Sequence, residues 1–156
     1  MNKPRKTNYT DIEFRDMIRG VSDSSQRVYF SDVDFVEYVY KNNTREYVCI
    51  LEAKRKYQIG KGEYRLVDSD KAVIGLANRL GIPFLFVFYK EGRLKDQEDV
   101  LLVWVEEEVE LLSVSGALQE GKAVNLSVGK LKEFLRCVGS RPFKDCWREL
   151  QGSFLR

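Results

Sequence analysis

Two stretches rich in β-branched and aromatic residues, 28–40 and 46–57, flank the short polar segment KNNTR, and this pattern restricts the fold more than any other. Val, Ile, Tyr and Phe favour extended structure, while the Asn-containing segment between them favours a turn. The sequence therefore predicts a long β-hairpin over residues 28–57. Both strands also carry charged side chains, which are costly in a sheet unless they face water or find a partner.

The charged residues of this hairpin are predicted to share one face. Alternate residues of a strand point to the same side. Asp32 and Asp34 therefore point to one side of the first strand, and Glu52 and Lys54 point to one side of the second strand. A turn centred on Asn43 sets Asp34 opposite Glu52 and Asp32 opposite Lys54, with side chains about 5 Å apart. A slip of one residue would separate the acids onto opposite faces, and a slip of two would exchange Asp32 for Asp34.

Two facing carboxylates repel each other unless a cation lies between them, and a divalent metal ion suits that position. The chain contains no histidine, which excludes histidine-based nucleophilic triads, HExxH metal sites and a histidine general base. A site made of oxygen ligands favours magnesium, manganese or calcium over zinc. The alternative interpretation is a solvated strand face on which Asp32 and Lys54 form an ordinary surface charge pair.

The rest of the sequence predicts an α/β fold with a central mixed β-sheet flanked by helices. The apolar run 83–89 favours a strand buried on both faces, residues 100–112 favour a further strand, and 60–70 favour an exposed loop with at most a short strand. The chain shows no repeat or linker, so we expect a single domain over residues 1–156. Apolar periodicity and helix-end signals predict helices over 10–19, 69–80, 127–139 and the tail from residue 143.

The hairpin with its acids resembles the PD-(D/E)xK nuclease superfamily, which has a restriction-endonuclease-like or Holliday-junction-resolvase-like fold. The matching residues are Asp34 (or Asp32) on the first strand and the triplet Glu52-Ala53-Lys54 on the second. The order of elements over residues 10–89 also resembles the αβββαβ core of that family. The resemblance covers a little over half of the chain and does not extend to the remainder. The proline that often precedes the family's Asp is replaced here by Val33.

This resemblance implies a metal-dependent nuclease that hydrolyses phosphodiester bonds in DNA. Magnesium, or manganese in its place, would be held by Asp34, Glu52 and the backbone carbonyl of Ala53, and Lys54 would complete the catalytic set. Neighbouring carboxylates favour the charged ammonium form, so we expect Lys54 to orient water or stabilise negative charge rather than act as general base. Three further residues are additional site candidates: Glu13, Asp32 and Gln58. Four basic residues are candidates for contacting the DNA backbone: Arg55, Lys56, Lys61 and Arg65.

The sequence also gives an alternative role for Glu13 and predicts the redox state, location and partners of the protein. Glu13 also fits a capping box with Thr10, which would give it a purely structural role. Three cysteines without CxxC spacing predict reduced thiols and a cytoplasmic location; a Cys137–Cys146 disulfide is the alternative, which nothing in the sequence favours. No apolar run is long enough to span a membrane. The expected partners are DNA and, for sequence-specific cutting, a second copy of the chain. The alternatives are a non-cleaving nucleic-acid-binding or protein-interaction module on the same scaffold, and an unrelated α/β interaction protein.

Overall fold

The computed structural model describes Glu13, Met17 and residues 33–152. The chain divides into two compact units, Met1–Ser31 and Asp32–Arg156. Glu13 and Met17 are helical, as the sequence predicts, and the other residues of the predicted helix 10–19 lie outside the described part. The expectation of one domain over the whole chain stays a prediction. Everything below concerns the second unit.

The described part of the second unit alternates strands and helices around one main sheet. Its elements are β1 (Phe35–Lys41), β2 (Thr44–Arg55), β3 (Glu63–Arg65), α1 (Asp68–Leu80), β4 (Phe84–Tyr89), β5 (Val100–Val105), β6 (Leu111–Ser113), α2 (Val114–Gln119), β7 (Ala123–Leu126), α3 (Val128–Ser140) and α4 (Phe143–Gly152). The main sheet has the order β1-β2-β4-β5-β7, and β3 pairs with β6 in a second, small sheet. Strands β2 and β4 run parallel, whereas the other neighbours in the main sheet run antiparallel. The predicted α/β fold with a mixed sheet is therefore confirmed.

Apolar layers cover both faces of the main sheet. On one face, Val73 and Ile74 of α1 pack with Phe84, Phe86 and Phe88 of β4. On the other face, the helices α3 and α4 pack with alternate residues of the same strands. Because both faces are covered, β4 is an almost unbroken apolar strand, as its sequence predicts. Among the described helices, none is long and apolar enough to cross a membrane.

Most predicted elements are found, with a few differences of position. The hairpin is confirmed over residues 35–55, but residues 56–58 form a short 3₁₀ helix instead of continuing the strand. The predicted strand 100–112 is wrong as one element, since it is divided into β5 and β6 by an acidic segment whose glutamates are exposed. Helix α2 and strand β7 were not predicted. Both elements are short, and short elements carry too few residues to show a clear period.

The two predicted helices in the C-terminal part are confirmed, but their cysteines differ from expectation. Cys137 of α3 and Cys146 of α4 form a disulfide, with their Cα atoms 5.9 Å apart, while Cys49 is a buried free thiol. The prediction of three reduced thiols is therefore wrong for this pair. The sequence gives no spacing signal because the bridge depends on how α3 and α4 pack against each other.

The disulfide gives a simple expected result. The purified protein, denatured without reductant in the presence of an alkylating agent, should gain one label, on Cys49, and mass spectrometry should recover a linked Cys137–Cys146 peptide. Replacing both bridged cysteines with serine should lower the free energy of unfolding by about 2–4 kcal/mol. Three labels on freshly purified protein would contradict the pairing.

Candidate active site

The turn of the hairpin is tighter than predicted. Lys41 pairs with Thr44, which centres the hairpin between Asn42 and Asn43 rather than on Asn43. Asn42 and Asn43 have φ values of 52° and 63°, as a two-residue hairpin turn requires. Asparagine adopts this left-handed conformation more readily than most residues. If this register continued unchanged along the strands, the acids would not face each other.

A β-bulge restores the predicted register before the acids are reached. The register shifts by one residue between Glu37 and Tyr38, so that Val48 of β2 is the additional residue. Beyond the bulge, Phe35 pairs with Leu51, and the same register continued by one residue sets Asp34 opposite Glu52. A one-residue shift exchanges the two faces of a strand, so the bulge decides that both acids lie on the same side. The predicted pairing is right, although the predicted turn centre is wrong.

Asp34 and Glu52 are held together by reciprocal backbone contacts. The backbone N–H of Asp34 donates to Glu52 Oε1 at 3.1 Å, and the backbone N–H of Ala53 donates to Asp34 Oδ2 at 3.0 Å. Each carboxylate thus has a second oxygen that takes no part in these two backbone contacts. The N–H and C=O of one strand residue point to the same side. The carbonyl of Ala53 therefore points past the end of β1, towards Asp34.

The face that carries Glu52 and Lys54 is buried rather than solvated. Glu52 is only 6% exposed and shares its face with Ile50, which belongs to the core beneath α1. Asp34 is exposed and lies at the open end of the pair. The alternative interpretation of a solvated strand face is therefore wrong for Glu52. A carboxylate kept at such a position needs a proton or a cation to offset the cost of burial.

The raised pKa of Glu52 also shows that its buried carboxylate favours a proton or a cation. The pKa of Glu52 is raised from 4.5 to about 7, mainly by burial; the Asp34 side chain also raises it, while the backbone N–H of Asp34 and the charge of Lys54 lower it. No group of three or more acidic, cysteine or histidine side chains suited to a metal occurs in the part of the chain that the structure describes. Two carboxylates and one carbonyl nevertheless make a donor set of hard oxygens, which fits Mg²⁺ with water as its remaining ligands.

Lys54 points to a different carboxylate, one that the sequence analysis did not single out. Its Nζ lies 2.9 Å from Oδ1 of Asp70, and the two side chains are 16% and 2% exposed. The hydroxyl of Tyr64 donates to Asp70 Oδ2 at 2.6 Å, and Lys54 Nζ lies 5.8 Å from the centre of the Tyr64 ring. Burial alone would lower the pKa of Lys54, but the hydrogen bond and charge of Asp70 outweigh it and raise that pKa. Lys54 is therefore a fixed, protonated cation.

Asp70 reaches this position because it lies in the first turn of α1. Its Oδ2 also accepts the backbone N–H of Val67 at 3.1 Å, as a residue in the third helical position can. Ser69 and Asp68, whose residue types also suit a helix cap, are both exposed. The sequence signal for Asp70 is an acidic residue at the third position of a helix. This signal predicts a helix cap, and no local pattern predicts that Lys54 lies close to Asp70.

The remaining candidates around β2 have mixed positions. Gln58 Oε1 accepts the backbone N–H of Arg55 at 2.9 Å, so its side chain stabilises the 3₁₀ helix. Its additional role in the site stays a prediction. The guanidinium of Arg55 stacks 4.6 Å from the ring centre of Tyr89, and Lys56 Nζ lies 2.9 Å from Oδ2 of Asp99. Two candidates for contacting DNA are exposed: Lys61 and Arg65.

Two candidates are not placed relative to the site. Asp32 lies outside the described residues. Glu13 is exposed and helical, but it belongs to the first compact unit. Their proposed contributions to the metal site stay predictions.

The raised pKa of Glu52 predicts a pH dependence of stability. Between pH 4.5 and about pH 7, the folded protein holds a proton on Glu52 that the unfolded chain has released. The stabilisation that protonated Glu52 contributes is therefore fully present below pH 4.5 and is lost as the pH rises through about 7. Urea unfolding in chelator at about pH 5 and about pH 8 should show lower stability at the higher pH. Glu37, whose pKa is raised by burial to about 6, contributes to the same slope, so Glu52→Gln should reduce the slope without abolishing it; an unchanged slope would contradict the assignment.

The chain matches no known protein-family model, no curated protein and no solved structure. The resemblance to the PD-(D/E)xK nucleases therefore stays a prediction from the residues quoted above.

Proposed function

We propose that the protein is a metal-dependent nuclease that hydrolyses phosphodiester bonds in DNA, built on a restriction-endonuclease-like core. The observation that carries this proposal is the pair of carboxylates, Asp34 and Glu52, held in mutual contact at a partly buried position with a protonated lysine on the same strand face. A raised carboxylate pKa beside fixed charged groups is typical of functional sites. The parallel pairing of β2 with β4 after the intervening helix α1 is consistent with such a core.

Asp34, Glu52 and the carbonyl of Ala53 would hold Mg²⁺. When bound, Mg²⁺ would polarise the scissile phosphate and make a bound water more acidic. Glu52 is fixed from two sides, since its burial limits its movement and its Oε1 accepts the N–H of Asp34. Asp34 lies on the exposed side and would meet the substrate first. The backbone groups at the end of β1 thus orient the carboxylates before any ligand arrives.

Lys54 would supply a positive charge beside the phosphate. Because Asp70 keeps the ammonium protonated, Lys54 is a poor proton acceptor and a good electrostatic partner for charge that develops in the transition state. Asp70 and Tyr64 are positioning residues, since they act on Lys54 and not on the substrate. Lys61 and Arg65 are exposed cations that would contact the DNA backbone without reading its sequence.

The proposal is tested by incubating the protein with circular DNA and with linear single-stranded and double-stranded DNA, in Mg²⁺ and then in chelator. Cleavage that requires Mg²⁺ and is lost in both Asp34→Asn and Glu52→Gln is the expected result. Absence of cleavage for every substrate in Mg²⁺ and Mn²⁺ would refute the enzyme proposal. Retained DNA binding in that case would instead identify a non-cleaving module.

A further inference from the structure

The tip of the hairpin projects beyond the main sheet as a two-stranded ribbon. Pairing between β2 and β4 begins at Ile50, whereas β2 already pairs with β1 from Thr44. Residues 38–41 and 44–47 thus have neighbours within the ribbon but not on the β4 side. A ribbon of this kind has two faces, and among residues 33–152 only one of them is covered, so the other is called the open face below.

One face of the hairpin packs on α3. A β-carbon placed on Gly139 of α3 would lie 3.2 Å from Cγ1 of Val39 and 3.4 Å from Oε2 of Glu37. Alternate residues of a strand point to opposite sides. Tyr38 and Tyr40 therefore point away from α3, towards the open face.

The open face carries three tyrosines and an arginine, which we call the tyrosine platform: Tyr38, Tyr40, Arg45 and Tyr47. Tyr38 pairs with Tyr47 across the strands, and Tyr40 with Arg45. The tyrosines are 47%, 62% and 48% exposed in sequence order, which is high for large aromatic side chains in a sheet. Surface exposure of several large rings on one face marks an interaction site more often than chance.

The platform is ordered by its own contacts. The Arg45 guanidinium carbon lies 4.9 Å from the ring centre of Tyr38 and 5.6 Å from that of Tyr40, and Nη2 donates to the Tyr40 hydroxyl at 3.0 Å. Tyr38 also meets Tyr40 and Tyr47 in edge-on contacts, with ring centres 5.9 Å and 6.2 Å apart. The result is a set of rings of fixed orientation with a positive charge among them.

The platform lies on the same side of the hairpin as the candidate metal site. Along β1, Tyr38 follows Asp34 by four residues, which places the platform about 13 Å from the acids at the rise of an extended strand. Ile50 on β2 is buried beneath α1, but Val36, its partner on β1, is exposed, so a ligand that runs along β1 on this face would touch the platform and Asp34 at once. The chemistry that combines planar faces with negative charge over this length is a nucleic-acid strand.

We propose that the tyrosine platform binds the unpaired bases of a single-stranded DNA segment and leads its backbone to Asp34 and Glu52. This inference rests on the proposed nuclease function for its choice of DNA. Bases inside a duplex are stacked on each other, whereas unpaired bases offer free faces to aromatic side chains and to arginine. The substrate class is thus DNA with an unpaired segment, such as a single-stranded end, and not a continuous duplex.

Binding is tested by fluorescence anisotropy with a labelled oligothymidylate and with a labelled blunt duplex, both in chelator so that no cleavage occurs. The double variant Tyr38→Ala/Tyr40→Ala should bind the single strand about tenfold more weakly, because stacking on each ring contributes to affinity. Tyr38→Phe/Tyr40→Phe keeps the rings and should bind nearly as the wild type does. Phe35→Ala is the matched control: Phe35 is also 62% exposed but lies on the opposite face of the same strand.

Two outcomes would overturn the platform: equal single-strand affinity for the alanine variant and the wild type, or an equal loss of affinity for Phe35→Ala. The binding assay is independent of cleavage. If the wild type binds the single strand through the platform but cuts no DNA, the nuclease proposal fails and the platform stands. If it cuts DNA and the alanine variant binds normally, the platform fails alone.

Discussion

Replacing Glu52 with glutamine is expected to lower the rate of Mg²⁺-dependent DNA cleavage by roughly 10³-fold. Glutamine keeps the shape of the side chain and can still accept the backbone N–H of Asp34, but it removes the negative charge that would hold the metal ion. The fold should remain intact, because burying a neutral amide at this position costs less than burying a charged carboxylate. The measurement is the initial rate of cleavage in Mg²⁺, compared with the thermal unfolding midpoint of the same preparation.

Glu37→Gln provides a matched control on the same hairpin. Glu37 is a half-buried acid whose pKa is raised by burial to about 6, but it faces α3 and not the candidate metal site. Its replacement should leave the cleavage rate unchanged. Comparable losses in both variants would mean that the effect comes from the charge of the hairpin in general, and the assignment of Glu52 would be wrong.

Replacing Lys54 with methionine is expected to destabilise the protein by about 3 kcal/mol. Lys54 is the cation beside Asp70, which is only 2% exposed, so its removal leaves a buried carboxylate without a compensating charge. Asp70 would keep its hydrogen bonds from Tyr64 and Val67, which limits the loss. Chemical unfolding at neutral pH gives the free energy directly.

A second substitution separates this pairing from simple loss of packing. Adding Asp70→Asn to Lys54→Met should recover part of the stability, because no buried charge then remains uncompensated. The surface pair of Lys71 with Glu110 supplies the control, since Lys71→Met should change stability little. Strictly additive effects of Lys54→Met and Asp70→Asn would show that the two side chains do not interact.

The Lys54 variants also test the catalytic role at temperatures where they stay folded. Lys54→Arg keeps a cation and should retain more cleavage activity than Lys54→Met. Asp70→Asn keeps Lys54 but removes the charge that raises its pKa. If Asp70 acts through Lys54 in the proposed cleavage reaction, the Asp70→Asn variant should lose activity mainly at high pH, where a lysine with a lowered pKa begins to lose its proton.

Local sequence patterns predicted the parts of the fold that depend on neighbouring residues. The Asn pair marks the turn, the period of residues 69–80 marks α1, and the apolar run of residues 84–89 marks a strand buried on both faces. The pairing of Asp34 opposite Glu52 was also predicted, but from a turn position that differs from the true one and without the β-bulge. The true turn is centred half a residue earlier, and the bulge at Val48 compensates for it. Nothing in the sequence around Val48 indicates a bulge.

Features that depend on contacts between distant segments could not be predicted. The partner of Lys54 is Asp70 on a helix that follows a loop and a short strand, and their distance is set by the packing of α1 on β2 and β4. The Cys137–Cys146 bridge depends in the same way on the packing of α3 with α4. Residues 100–112 form two strands because β6 leaves the main sheet and pairs with the distant strand β3, with the exposed acids between β5 and β6.

The most direct test of the metal site is a crystal soaked or grown with Mn²⁺ and measured at a wavelength where manganese scatters anomalously. The predicted result is one anomalous peak about 2.2 Å from the carboxylate oxygens of Asp34 and Glu52 and from the carbonyl oxygen of Ala53. The peak should be lost in Glu52→Gln crystals grown in the same way. A wild-type structure in which no peak lies between these groups, with Asp34 and Glu52 bonded only to the protein, would contradict the account.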